Sequence, residues 1–248
     1  MDNTAIRFAC NGCGVCCKGR LIPLTLKESR QWIERGHDVA LILEAFDDSL
    51  WRHEPARFIH NARRAAEIDS GTAKIKVIAI LAANALTQCP NLDEQNRCGI
   101  YEDRPLVCRI YPTEISPLIT LNPADKVCPP EVWDAGEVIF TDRISDPLVV
   151  RQVEESRAAD RADAEAKVAI CEIMGMTTAA WKERALAVYQ PDRVELLEAI
   201  QYYDTNPSTP GGQGWSVRSD NPGLSDILSG KGVEIVSAES ADYIFHRL

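Results

Sequence analysis

With 248 residues, 45% of them hydrophobic, the chain is long enough to bury a core in one large domain or two smaller ones, and it needs no cysteines merely to stay folded. Its formal charge of −10 and pI near 5.0 argue against a broad phosphate-binding face, so nucleic acid is not expected as a partner. The first residues, Met1-Asp2-Asn3-Thr4-Ala5-Ile6-Arg7-Phe8, lack a basic segment followed by an apolar run, and the longest apolar stretch, Val77 to Leu86, is interrupted by Asn84 and falls short of the ~20 residues of a spanning helix; a cytoplasmic chain without a membrane segment is expected.

In chain order, the Gly-rich segment from Cys10 to Cys17 runs into Leu21-Ile22-Pro23-Leu24, a short extended piece. Thr25 and Glu28 then form a capping box, Leu26, Trp32 and Ile33 supply an apolar stripe, and Gly36 stands where a helix should end. Further helices are expected around 39–50 and 55–68. The stretch Lys74-Ile-Lys-Val-Ile-Ala-Ile alternates and is β-branched, which predicts a strand, while Pro90, Asn91, Asp93 and Asn96 make 89–98 a loop or hairpin. Asp103 and Pro105 predict a helix start that places Cys108 early in a short helix ending before Pro112. Dense charge interleaved with Ala, Val and Ile over 147–174 predicts a long exposed helix, with two more near 178–189 and 192–204. The Pro- and Gly-rich stretch 205–223, which includes Gly211-Gly212-Gln213-Gly214, is expected as loop or linker, and Val233 to Val236 as a docked strand. The expected architecture is mainly α with a small β component (α+β), its N-terminal half irregular, stapled by metal and packed with helices. A cysteine-cluster domain over 1–135, a helical region over 136–204 and a loop-rich tail over 205–248 follow from this division.

Nine cysteines without an export signal belong to a reducing compartment, where thiols serve metals or redox chemistry more than structural disulfides. In Cys10-x-x-Cys13-x-x-Cys16 the two-residue spacers let thiolates converge on one centre, and the glycines allow the backbone to turn sharply. Cys17 is expected to point away from Cys16, since adjacent side chains usually diverge, and so to serve a second site. Cys89, Cys98, Cys108 and Cys128 bring the total to eight, which divides into two four-ligand sites, although one centre with spare thiols accounts for them too. Arg104 and Arg109, together with the helix start, are expected to lower the pKa of Cys108. Cys171 shares a helical face with Ala164 and Val168 and reads as a core residue. The histidines, His37, His53, His60 and His246, show no metal-binding spacing.

The pattern Cys10-x-x-Cys13-Gly14-x-Cys16-Cys17, followed by Cys98-x-Ile100-Tyr101-x-x-Arg104-Pro105-x-x-Cys108-Arg109-x-Tyr111-Pro112, resembles the CxxCxxCC family of zinc- or iron-chelating proteins, the YkgJ-type cysteine cluster proteins, over roughly residues 8–130. The resemblance implies all eight cysteines as ligands and brings forward Arg104 and Arg109, either as hydrogen-bond donors to the thiolates or as holders of a substrate or cofactor carboxylate. The family includes flagellin lysine N-methylases, so modification of a protein lysine, with S-adenosylmethionine as cofactor, is implied as an alternative to simple metal binding. No G-x-G-x-x-G fingerprint supports it, and the glycines at 211–214 read as a linker. An electron carrier or metal donor to a redox partner is a third reading. Metal ions are the expected ligands, as zinc or an iron–sulfur cluster. Eight thiols without a histidine resemble cluster ligation somewhat more than finger-type zinc ligation.

Overall fold

The computed structural model describes residues 5–211 and 214–248; Gly212 and Gln213 of the expected linker and the first four residues lie outside this range. In chain order the strands and α-helices are β1 (Ile6–Phe8), β2 (Arg20–Leu24), α1 (Leu26–Glu34), β3 (Val39–Phe46), α2 (Pro55–Ala62), β4 (Ala66–Ser70), β5 (Ala73–Ala85) and α3 (Leu106–Ile110). They continue as β6 (Glu137–Phe140), α4 (Pro147–Ala162), α5 (Ala164–Ile173), β7 (Thr178–Trp181), β8 (Ala185–Tyr189), α6 (Arg193–Thr205), β9 (Ser216–Arg218), α7 (Pro222–Gly230), β10 (Ile235–Val236) and β11 (Ile244–Arg247). The chain divides into two compact units, the first comprising Met1–Leu24 and Ala83–Ala159 and the second Thr25–Ala82 and Asp160–Leu248.

The second unit is built on a large mixed sheet in the order β10-β9-β7-β3-β5. Strands β7, β9 and β10 run parallel, with Ala179 opposite Val217 and Ile235 opposite Val217 on its other side. β3 runs parallel to β7 at Glu44 and Ala45 and antiparallel to β8 at residues 41–43, and β11 extends the sheet antiparallel to β8. All eight residues of β3 are buried. A strand covered on both faces loses the alternation of a half-exposed one and reads as a continuous apolar run. The helix expected around 39–50 is thus replaced by a strand at 39–46, whose geometry is a tertiary effect.

This sheet overturns the expectation of a mainly α chain with a helix-packed N-terminal half: β3 and β4 fall where the helices around 39–50 and 55–68 are expected, and β5 runs beyond the strand expected at Lys74 to Ile80. The same correction applies at 178–189, where two short strands, β7 and β8, each pair with β3 and are joined by a turn at Glu183, whose φ is +67°. The long helix over 147–174 is two helices interrupted at Asp163, and α5 is largely buried rather than exposed. Within 205–223, Ser216–Arg218 forms the buried strand β9. Other expectations hold. Thr25 and Glu28 exchange both bonds of the capping box on α1, and Gly36 takes φ +83° just past its end. Pro55 opens α2, and β5 contains the predicted strand.

The first unit has less regular structure. β1 and β6 pair antiparallel, Phe8 packs on Trp133 with centroids 5.0 Å apart, and Ala9 N–H donates to the Val132 carbonyl at 2.9 Å, anchoring the chain just before Cys10. A small core of Leu106, Ile110 and Val153, flanked by Ile115, Ile144 and Val149, supports α3.

Candidate metal centre

The loop carrying the first four cysteines is shaped by glycine. Gly12 and Gly14 sit at φ +70° and +71°, and a Cβ on Gly14 would approach the Asn96 carbonyl oxygen to 2.8 Å. Only glycine fits that approach without displacement. The close contact, with the bond from Lys18 Nζ to Asn96 Oδ1 at 2.7 Å, holds the 10–18 segment against the 89–98 loop. After Gly14 the chain enters a 3₁₀ turn over Val15–Cys17, in which Cys17 N–H donates to the Gly14 carbonyl at 3.0 Å.

That turn corrects the expectation that Cys16 and Cys17 diverge. Successive residues of a 3₁₀ turn are ~120° apart rather than on opposite faces as in a strand. The two sulfurs lie 4.0 Å apart. Two thiolates on one tetrahedral ion, with a metal–sulfur bond of ~2.3 Å, have sulfurs about 3.8 Å apart. The observed separation is close to that value.

The second loop is tied to the first through its backbone. Cys89 N–H donates to the Cys17 carbonyl at 2.7 Å, Leu92 N–H to the Cys89 carbonyl at 3.0 Å and Gly99 N–H to the Asn91 carbonyl at 2.7 Å, with an antiparallel bridge between Leu92 and Cys98. Asp93 Oδ1 accepts from the N–H groups of Gln95 and Arg97 and closes the turn. Cys89 is thereby buried, while Cys98 is half-buried.

Cys108 lies in α3, as expected, although Pro105 rather than Asp103 takes the cap position. Arg104 donates through Nε to the Tyr101 carbonyl at 2.8 Å with its guanidinium 3.6 Å from the Tyr101 ring centroid, and Arg109 donates through Nε to the Arg104 carbonyl at 2.6 Å. Both arginines brace the turn that delivers Cys108. Cys128 follows a 3₁₀ turn over Pro123–Asp125, and its Sγ lies 3.5 Å from the Tyr111 hydroxyl.

The electrostatics join these segments. Cys16 is drawn down to about 6 by its bond to Cys17, against the opposing effect of burial, with further help from the Arg20 and Arg104 charges. Cys17 is pushed up, first because its proton is held in that bond, then by burial and by the neighbouring Cys16, Cys89 and Cys108. Burial pushes Cys108 up to about 12, reinforced by Cys89, Cys16 and Cys98. The expectation of a lowered Cys108 pKa is thus overturned: the Arg104 charge acts in the predicted direction but is outweighed by desolvation and by surrounding sulfur. Burial also raises Cys89, where Cys98 and Cys16 add to the effect, and Cys128, where Cys16, Cys13 and Cys10 do so. Such a set resists accumulating negative charge on its own, and a bound cation reverses that resistance by stabilising each thiolate.

All eight predicted cysteines fall in the first unit, and all four histidines in the second. Cys171 is buried in α5 of the second unit, consistent with its reading as a core residue. Among the described residues, no three His, Cys, Asp or Glu side chains converge into a complete metal site. The donor chemistry and the Cys16–Cys17 spacing suit zinc or iron, while a closed shell requires the remaining thiols to turn inward. Two neighbours were not singled out from sequence. Arg20 has a buried Nε without a hydrogen-bond partner and sits 5.9 Å from the Tyr111 ring centroid, and Lys126 approaches the same ring at 5.5 Å while paired with Glu114. Their only signal was proximity in sequence to Cys17 and Cys128.

No curated protein and no solved structure matches the chain. A family model, CxxCxxCC, described as a putative zinc- or iron-chelating domain, matches residues 9–129. That span begins one residue before Cys10, ends one residue after Cys128 and contains every cysteine gathered in the first unit, so it is over the cysteine-bearing segments that the chain is similar to the zinc- or iron-chelating domain of the CxxCxxCC family.

Proposed function

We propose that the first unit binds zinc or iron through thiolates drawn from Cys10, Cys13, Cys16, Cys17, Cys89, Cys98, Cys108 and Cys128, with Cys16 and Cys17 on the same ion. The 4.0 Å separation of their sulfurs carries this reading. It suits a mononuclear tetrahedral site, and equally a two-iron cluster in which one iron takes both thiolates. It disfavours a cubane, whose thiolates each cap a different iron. Arg20 and Arg104 offset part of the negative charge of the assembled thiolates, and Arg109 positions Arg104 through its carbonyl. Zinc would act as a cross-link among irregular loops, whereas iron would add one-electron redox chemistry. Lysine methylation and electron transfer would each place further demands on a substrate or partner surface, and both depend on the metal present.

The test is anaerobic purification of the full chain with metal content, acid-labile sulfide and the visible spectrum measured on one sample. The expected result is stoichiometric zinc or iron that is lost in C16S/C17S. A preparation without bound metal after growth in both zinc- and iron-supplemented medium, or full retention of metal by C16S/C17S, overturns the proposal.

A further inference from the structure

The second unit has two cavities at the carboxyl ends of its parallel strands. β7 ends at Trp181 and β9 at Arg218, the edge of a parallel sheet at which ligands commonly bind. Two adjoining cavities, of about 200 and 560 Å³, open there and share Arg218, Phe245 and Arg247 as walls. The larger falls in the size range of small-molecule sites.

Arg218 is only 8% exposed. Its guanidinium lies 4.8 Å from the Phe245 ring centroid and gives Nη1 to the Ser219 carbonyl at 2.7 Å. Arg184, from the turn between β7 and β8, lines the smaller cavity with it. Among the described residues no carboxylate pairs with either arginine, whereas Arg247 beside them is neutralised by Asp220. A guanidinium this deeply buried is costly without a counter-charge. The hydroxyl of Tyr243, in the wall of the larger cavity, is buried without a hydrogen-bond partner as well. Asn221 lines the smaller cavity and caps α7, so the first turn of a helix, favourable to anions, begins at the rim.

We propose that these adjoining cavities bind a small phosphate-bearing molecule, its phosphate held in the smaller one by Arg218 and Arg184 and the rest of it lying in the larger one against Phe245. Two guanidiniums without a carboxylate partner beside a helix N-terminus suit a phosphate, which accepts from several donors at once, better than a single carboxylate. The residues that line these cavities all belong to the second unit and include no cysteine.

The experiment uses the full-length, metal-loaded chain and titrates pyrophosphate, inorganic phosphate and acetate at matched ionic strength by calorimetry, with ³¹P line broadening as a second readout. Saturable binding of pyrophosphate or phosphate at one site per chain is expected, with no response to acetate. R184Q, a change on an exposed turn, and R218K should each weaken binding about tenfold or more at unchanged circular dichroism and metal content. If R218K does not fold, R184Q decides. Absence of saturable binding to the wild-type chain, an equal response to acetate, or wild-type affinity in R184Q overturns the proposal.

Discussion

Gly14 and Cys16 show how much of the thiol site depends on single residues. A Cβ at position 14 would press on the Asn96 carbonyl at 2.8 Å in a backbone already at φ +71°, so G14A is expected to cost ~1–3 kcal/mol and to loosen the contact between the two cysteine loops. Denaturant unfolding, with metal content measured on the same preparation, checks both effects; unchanged stability and metal content would show that the loops do not depend on this approach. At Cys16 the prediction concerns protonation in metal-free protein. Its thiol is held near 6 by the proton of Cys17, so near neutral pH the pair carries one negative charge centred on Cys16. Iodoacetamide at pH 7 should therefore modify Cys16 before Cys17 and Cys108, and the rate at Cys16 should fall as the pH drops through about 6. Peptide mass spectrometry resolves the order, and equal labelling of Cys16 and Cys17 would contradict it.

At the scale of elements, the sheet of the second unit is organised around β3, and Glu44 makes that strand unusual. Its side chain is 7% exposed within an otherwise apolar run and is paired with Lys182 at 2.6 Å. K182M should cost about 3–5 kcal/mol by leaving a buried carboxylate unpaired, while adding E44L to it should recover most of that loss. Thermal unfolding of the single and double variants gives the coupling; a single variant as stable as wild type would mean that Glu44 reaches water or another partner. The same strand shows where sequence pattern fails. The capping box of Thr25 and Glu28 and the alternation around Lys74 to Ile80 are local signals and lead to the observed α1 and β5. Residues 39–46 and 178–189 contain many Ala and Leu, whose local preference is helical, and their strand geometry is imposed by neighbours distant in sequence. The cysteine spacings were legible for a similar reason, being short and local. The approach of Arg20 and Tyr111 to that region was not, because no spacing encodes it.

At the scale of the whole molecule, the two units differ in what holds them together. The second has an extensive buried core, including Phe46, Trp51 and Ile78, and the sheet that spans β3 to β10. The loops of the first unit that carry the cysteines are held by turns, a few backbone bonds and the small cluster around Leu106, Ile110 and Val153. Metal binding contributes directly to folding where ligands come from loops that have little apolar burial. Stripping metal with a chelator under reducing conditions should therefore raise amide exchange across 10–17, 89–98 and 105–128 by at least about tenfold, while β3, β7 and β9 keep their protection. Hydrogen exchange read by mass spectrometry on loaded and stripped samples tests this, with metal re-addition as the reversal. If the cysteine loops exchange at the same rate with and without metal, the cluster is not what orders them. If the sheet strands lose protection in parallel, folding of the second unit depends on the metal as well.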